Sequence, residues 1–249
     1  MLTGKQREIQ ARVELFIGVA RSMLLEEGYD AVSINRVAEV TQFSKGTVYQ
    51  LFKSKEELIA ALGIQCRAML HETMERAARF PGRPRERLVA MGESVAFYAH
   101  HYPHDQRILK IIDAETILQQ VGEEQQARMA EYDFRMYQLL MDIVQDAIAQ
   151  GDLSLPQDAT PQGLCFAFWA MVDGAFAALM GSAPLEAVGI DDPMAEAVRN
   201  GQYLADGYGW RPLYSEWDYQ DTSRRIRSLF FHEESDLVEA ENSVSSMAR

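Results

Sequence analysis

Apolar residues recur along this chain at helical spacing, and nowhere with the every-other-residue alternation of a strand. Val13, Phe16, Ile17, Ala20 and Leu24 mark one helix face, and Gly28 ends that pattern as a C-cap. Ile34, Val37 and Ala38 form a second, short stripe, which Thr41-Gln42-Phe43 interrupts. Ser44 then caps a helix whose inner face is Val48, Leu51 and Phe52. Ser54 and Glu57 have capping-box spacing and open a long helix through Leu58, Leu62, Cys66 and Met69 toward Arg79, where Pro81-Gly82-Arg83-Pro84 stops it. Five or more helices follow. The pattern predicts them over 85–102, 104–121 and 123–150, with Gly151 closing the last. Thr160-Pro161 and Asp192-Pro193 each place a cap before a proline at the first helical position, so helices start there too. The chain reads as all-α.

Two short helices joined by a tight turn, as over Ser33 to Phe52, make a helix-turn-helix, whose second helix enters the DNA major groove. The outward residues of that second helix are Lys45, Thr47, Tyr49 and Gln50, which carry donors, a methyl and a phenol. Such groups reach phosphates and base edges. Ser33, Ser44, Lys53 and Lys55 flank them and complete the candidate DNA-binding set.

The stretch SKGTVYQLFKSKEEL, Ser44 to Leu58, resembles the DNA-binding signature of TetR/AcrR-type transcriptional repressors. The resemblance is strong from about Val13 to Leu62, and beyond that it is one of layout. It implies a three-helix DNA-binding domain followed by a helical ligand-binding and dimerisation bundle. It also implies a homodimer on a double-stranded DNA operator, released by a small-molecule effector. The family pattern has glycine in the turn where this chain has Gln42. A Cβ in the left-handed region costs roughly 1–2 kcal/mol, so the turn is either reshaped or strained.

A net charge of −13 is unexpected for a DNA binder. Its distribution accounts for it: residues 1–60 hold eight Lys/Arg and eight Asp/Glu, while residues 61–249 hold 16 and 29. An acidic body repels DNA everywhere except at the reading heads. The two cysteines, Cys66 and Cys165, sit in apolar helical contexts and read as buried thiols. Met1 to Arg12 is polar, and a cytoplasmic protein is expected.

Leu164 to Met180 is nearly all apolar, but it is short for a bilayer and Asp173 would sit in its middle. No membrane association is expected. Ala170, Gly174 and Ala178 share one edge, which suits a wall that is also a subunit interface. Tyr98, Glu115, Tyr137, Met141, Phe166, Trp169 and Asp173 are the candidates for a ligand pocket. Aromatic and Met groups with one or two carboxylates suit a small hydrophobic or cationic molecule, although such stripes are also ordinary core. Eight aromatics lie between Tyr203 and His232, too many to leave in water, and Pro212 to Phe231 reads as an added arm. The domains expected are therefore 1–60 (DNA binding), 61–231 (ligand binding and dimerisation, with the arm) and 232–249 (acidic disordered tail).

No phosphate-binding glycine loop, HExxH or GxSxG occurs, so no catalytic residue and no cofactor are expected. Two alternatives remain. One is a helical protein-interaction module whose helix-turn-helix serves assembly. The other is a metal-sensing repressor using His100, His101 and His104, although Pro103 breaks their register.

Overall fold

The helices begin where the sequence supplies caps. In the computed structural model, which describes residues 3–113, 119–181 and 184–230, there are ten α-helices and no strand among the described residues. Thr3 and Gln6 form a reciprocal capping box at the start of α1 (Gly4–Glu26). Ser33 accepts from the Arg36 N–H and opens α2 (Ile34–Thr41). Ser44 accepts from the Thr47 N–H and opens α3 (Lys45–Leu51). The Ser54 hydroxyl accepts from the Glu57 N–H at the head of α4 (Lys55–Ala78), while the Glu57 carboxylate takes the Lys53 N–H. α5 (Pro84–His101) follows, then α6 (Pro103–Ile112). The helix predicted over 104–121 therefore ends earlier: Asp113, Gln119 and Gln120 lie in turns. Glu115 and the tail expected at 232–249 lie outside the described residues.

α7 (Glu123–Gln150) ends at Gly151, whose φ of 77° is a left-handed cap. Thr160 and Asp192 cap α8 (Pro161–Met180) and α9 (Pro193–Gly207), each with proline in the first turn. The segment read as an arm forms α10 (Tyr219–Phe230).

The described chain divides into two compact units. The first holds residues 1–69 and 104–133. Its core joins Phe16, Ala20 and Leu24 of α1 to Val37 and Val48 of the two short helices and to Leu58 and Leu62 of α4. Ile108 and Ile112 of α6 and Met129 of α7 belong to the same cluster. Arg21 of α1 pairs with the buried Asp105 of α6, and Arg67 of α4 pairs with Asp113 and, at 3.0 Å, with Asp133.

The second unit holds residues 70–103 and 134–249. Its axis is α5, buried along almost its whole length. α9 and α10 both pack on α5, and α9 also packs on α8. At its start Arg85 is fully buried and multiply bound. It donates to the Trp210 carbonyl, to the Gln202 carbonyl at 2.8 Å and to Asp206 at 2.7 Å. The Arg85 guanidinium also stands 5.4 Å over the Tyr219 ring. One buried cation thus ties the end of α9 and the start of the arm to α5. Of the aromatics between Tyr203 and Phe230, Trp210 and Tyr219 are buried, whereas Tyr203 and Trp217 stay exposed.

Candidate nucleic-acid interface

The turn between α2 and α3 sets the candidate reading surface. Gln42 has φ 58° and ψ 22°, so the left-handed conformation is kept with a Cβ present. The Phe43 N–H bonds the Ala38 carbonyl at 3.1 Å and the Gln42 N–H bonds the Glu39 carbonyl at 3.2 Å, the pair of bonds of a Schellman ending. Phe43 then tucks under α1, its ring edge-on to Phe16 with centroids 5.4 Å apart. Val48 is fully buried and pins α3 to the core.

With Val48 inward, Lys45, Tyr49 and Gln50 are exposed, Tyr49 by 49%. Thr47 is half-buried, and its hydroxyl lies 2.8 Å from that of Ser44. Ser44 thus caps the helix and orients Thr47 together. Ser33 caps α2 from a half-buried position. Lys53 is exposed beyond the end of α3. Lys55 is half-buried, with its ammonium 4.0 Å over the Tyr29 ring. Burial and the neighbouring Glu56 carboxylate push the Tyr29 hydroxyl up to about 12.

Charge is sorted within this unit. From Val40 to Lys55 the sequence has three lysines and no carboxylate. The acids of the same region are used elsewhere: Glu27 holds Arg36 at 2.7 Å, Glu8 pairs with Arg12 and Glu57 caps α4. The segment carrying α3 is therefore positive although residues 1–60 are neutral in sum. Exposed lysines, an amide and a phenol on a short helix suit contact with a polyanion whose base edges offer donors and acceptors.

Residues 16–62 match the family model of bacterial regulatory proteins, tetR family. That stretch carries the family's DNA-binding helices. No curated protein matches the sequence. Solved structures do. A TetR/AcrR-family transcriptional regulator from Thermobifida fusca is similar at 24% identity and a TM-score of 0.58, covering 80% of this chain and 98% of that one. A TetR transcription regulator from Haloarcula marismortui is similar at 18% identity and a TM-score of 0.63, covering 80% and 98%. The fatty acid degradation regulator FadR of Bacillus halodurans is similar at 16% identity and a TM-score of 0.59, covering 80% and 97%. At these identities the likeness is one of fold. The tetR-type DNA-binding region and the shared fold support a DNA-binding transcriptional regulator.

The ligand candidates are spread over its second unit. Tyr98 is fully buried, its ring 5.2 Å from that of Tyr102. Tyr137 and Met141 meet in one apolar cluster with Leu164, Cys165 and Phe168 of α8. Burial and the nearby Cys165 raise the Tyr137 hydroxyl above its usual value. Phe166 and Trp169 lie on the other side of α8, 60% and 56% exposed, with rings 5.8 Å apart. Asp173 is half-buried, and Glu115 is outside the described residues. The structure thus groups Tyr137 with Met141, and Phe166 with Trp169, but not all of them around one space. Among the described residues no group of three or more His, Cys, Asp or Glu is placed to hold a metal ion. His100 is bonded to the Ala96 carbonyl and to Asp192, and His101 stacks on Phe97.

Two supporting residues escaped the sequence reading. Arg36 ties α2 to Glu27 and to the Ala31 carbonyl. Tyr29 seats Lys55. The Arg36 contacts reach back across the turn before α2 and the Tyr29–Lys55 contact joins separate elements, so helical spacing signals neither.

Proposed function

We propose that the chain works as a homodimeric repressor that reads a palindromic operator through α3. A small-molecule effector in the helical body then releases it. The observation that carries this reading is the lysine-bearing segment Val40–Lys55, free of carboxylates, with Lys45, Tyr49, Gln50 and Lys53 exposed on it. Lys45, Lys53, Lys55 and Tyr49 contact phosphates, and Thr47 and Gln50 read base edges. Ser33 and Ser44 hold the helix starts that face the backbone. The domain limits that fit this division are 1–60 for DNA, 61–231 for effector and dimer, and 232–249 as a tail. The site of action is the cytoplasm, where the DNA is.

Dimerisation is supported by α8. It is long and apolar enough to cross a membrane, yet only 28% of its most apolar window is buried within the chain. Phe166, Trp169, Leu179 and Met180 are exposed on it. A second copy of the same helix covers that face and supplies the second reading head that two half-sites require. Sedimentation of the full chain is the test. The wild type is expected to run as a dimer and to place two protomers on one palindromic duplex. Trp169→Glu is expected to run as a folded monomer with weakened operator binding. A monomeric wild type, or a dimeric Trp169→Glu variant, contradicts this arrangement.

A further inference from the structure

α5, α9 and α10 enclose an open cavity of about 830 Å³. It lies wholly within the second unit, and none of the seven ligand candidates chosen from the sequence lines it. Its volume is that of a site for a drug-sized molecule. Its inner surface is apolar and aromatic: Val89 and Phe97 come from α5, Val198 from α9, and Tyr214 and Tyr219 from the arm. The two tyrosine rings are stacked, with centroids 5.8 Å apart and planes 7° from parallel. Tyr219 already carries Tyr214 and the Arg85 guanidinium on its ring and Phe97 carries His101, so an apolar body meets the edges of these rings and the Val89 and Val198 methyls.

The rim decides which charge is accepted. Its carboxylates are Glu93 and Asp192, and both are already engaged. Arg227 grips Glu93 with two hydrogen bonds of 3.0 and 3.2 Å. Asp192 takes the N–H groups of Met194 and Ala195 at 3.0 Å each, and His100 Nε2 lies 3.1 Å from its other oxygen. Two further arginines on the rim are held loosely. Arg199 pairs only one turn away with Glu196 at 2.9 Å, and Arg224 with Asp221 at 3.0 Å. All four of those side chains are well exposed. Exposed pairs of this kind are weak and exchange cheaply for a better partner. An entering carboxylate or phosphate therefore meets two guanidinium groups able to turn toward it, whose fork matches its oxygens. An entering cation meets only carboxylates that would have to abandon their bonds.

We propose that this cavity binds an organic anion with an aromatic body, the body against Tyr214, Tyr219 and Phe97 and the anionic group on Arg199 and Arg224. The charge is opposite to that of the cationic ligand considered from the sequence. α10 supplies Arg224 and part of the wall, so the site exists because the arm folds onto α5. As an effector site it rests on the regulatory reading above. As a binding site it does not.

The test is titration calorimetry on the DNA-free full chain with 2-naphthoate and with 2-naphthylmethylamine, which share a ring system and differ in charge. Naphthoate is expected to bind saturably at one site per chain, and the amine at least about tenfold more weakly. The double variant Arg199→Ala/Arg224→Ala is expected to lose about tenfold or more in naphthoate affinity. Ala195→Trp, at an exposed lining position, is expected to fill the cavity and block binding. Both variants should keep the wild-type melting temperature. Absence of naphthoate binding, equal binding by the double variant, or equal affinity for the amine overturns the site. Naphthoate added to the operator complex then tests the regulatory reading separately: binding without DNA release removes the effector role and leaves the site.

Discussion

Replacing Gln42 with glycine tests whether strain is held in the turn that orients the reading helix. Gln42 sits at φ 58°, where a Cβ costs roughly 1–2 kcal/mol. Glycine removes that cost but loses more backbone freedom on folding, by roughly 0.5–1 kcal/mol. The Gln42 side chain is exposed, so little packing is lost with it. The two turn bonds, Phe43 to Ala38 and Gln42 to Glu39, are made by the backbone and survive the change. The difference is a net gain of about 0.5–1 kcal/mol for Gln42→Gly, or a rise of about 1–4 °C in melting temperature for a chain of this size. Gln42→Val is the counterpart, because a β-branched residue at this angle should cost about 1 kcal/mol or more. Urea unfolding followed by circular dichroism, at equal protein concentration, reads both. A glycine variant no more stable than wild type, or a valine variant equal to it, refutes the assignment of strain to this turn.

Three further outcomes are expected. Lys45→Ala should weaken binding to all duplexes and lower the salt slope by about one ion, whereas Gln50→Ala should relax preference at one base pair by about 1–3 kcal/mol. Competition titrations at several salt concentrations check both. Arg85→Ala removes the Arg85 donor from the Trp210 and Gln202 carbonyls and leaves Asp206 with the Tyr214 N–H but no cation, and should destabilise the chain by about 3–5 kcal/mol in urea unfolding. A loss under about 1 kcal/mol would mean that the Arg85 knot is not holding the arm. Finally, burial, with Asp105 adding to it, raises the Cys66 thiol from 9.0 to about 12, and burial with Glu56 raises the Tyr29 hydroxyl from 10.0 to about 12. Both are neutral when protonated and are raised in the folded state, so their stabilisation is full below pH 9 and is lost as pH climbs toward 12. The melting temperature should fall steadily from pH 9 upward, and one unchanged between pH 8 and 11 contradicts this.

The helix starts were legible because caps are local. Ser44, Ser54, Thr160 and Asp192 each announce a helix within four residues, and each does so in the structure. The inner face of α3 was legible for the same reason, since Val48 leaves few ways to turn so short a helix. The ligand candidates were harder. α8 is apolar all round, so spacing alone does not say which side faces its neighbours, and Phe166 and Trp169 proved to face outward. The end of α6 was also hidden, because Ile108, Ile111 and Ile112 set a helical rhythm that says nothing about where it stops. Arg85 gave no sequence signal, as its partners lie more than a hundred residues away.

Selection of duplexes from a random-sequence pool by the purified full chain tests the central claim most directly. The account predicts enrichment of a palindrome with two half-sites spaced by about one or more helical turns, bound by two protomers. It also predicts that Gln50→Ala changes the enriched bases, while Lys45→Ala lowers affinity without changing them. Recovery of no shared sequence, or of the same sequence with α3 stripped of Lys45, Tyr49 and Gln50, would contradict the assignment of α3 as the reading helix.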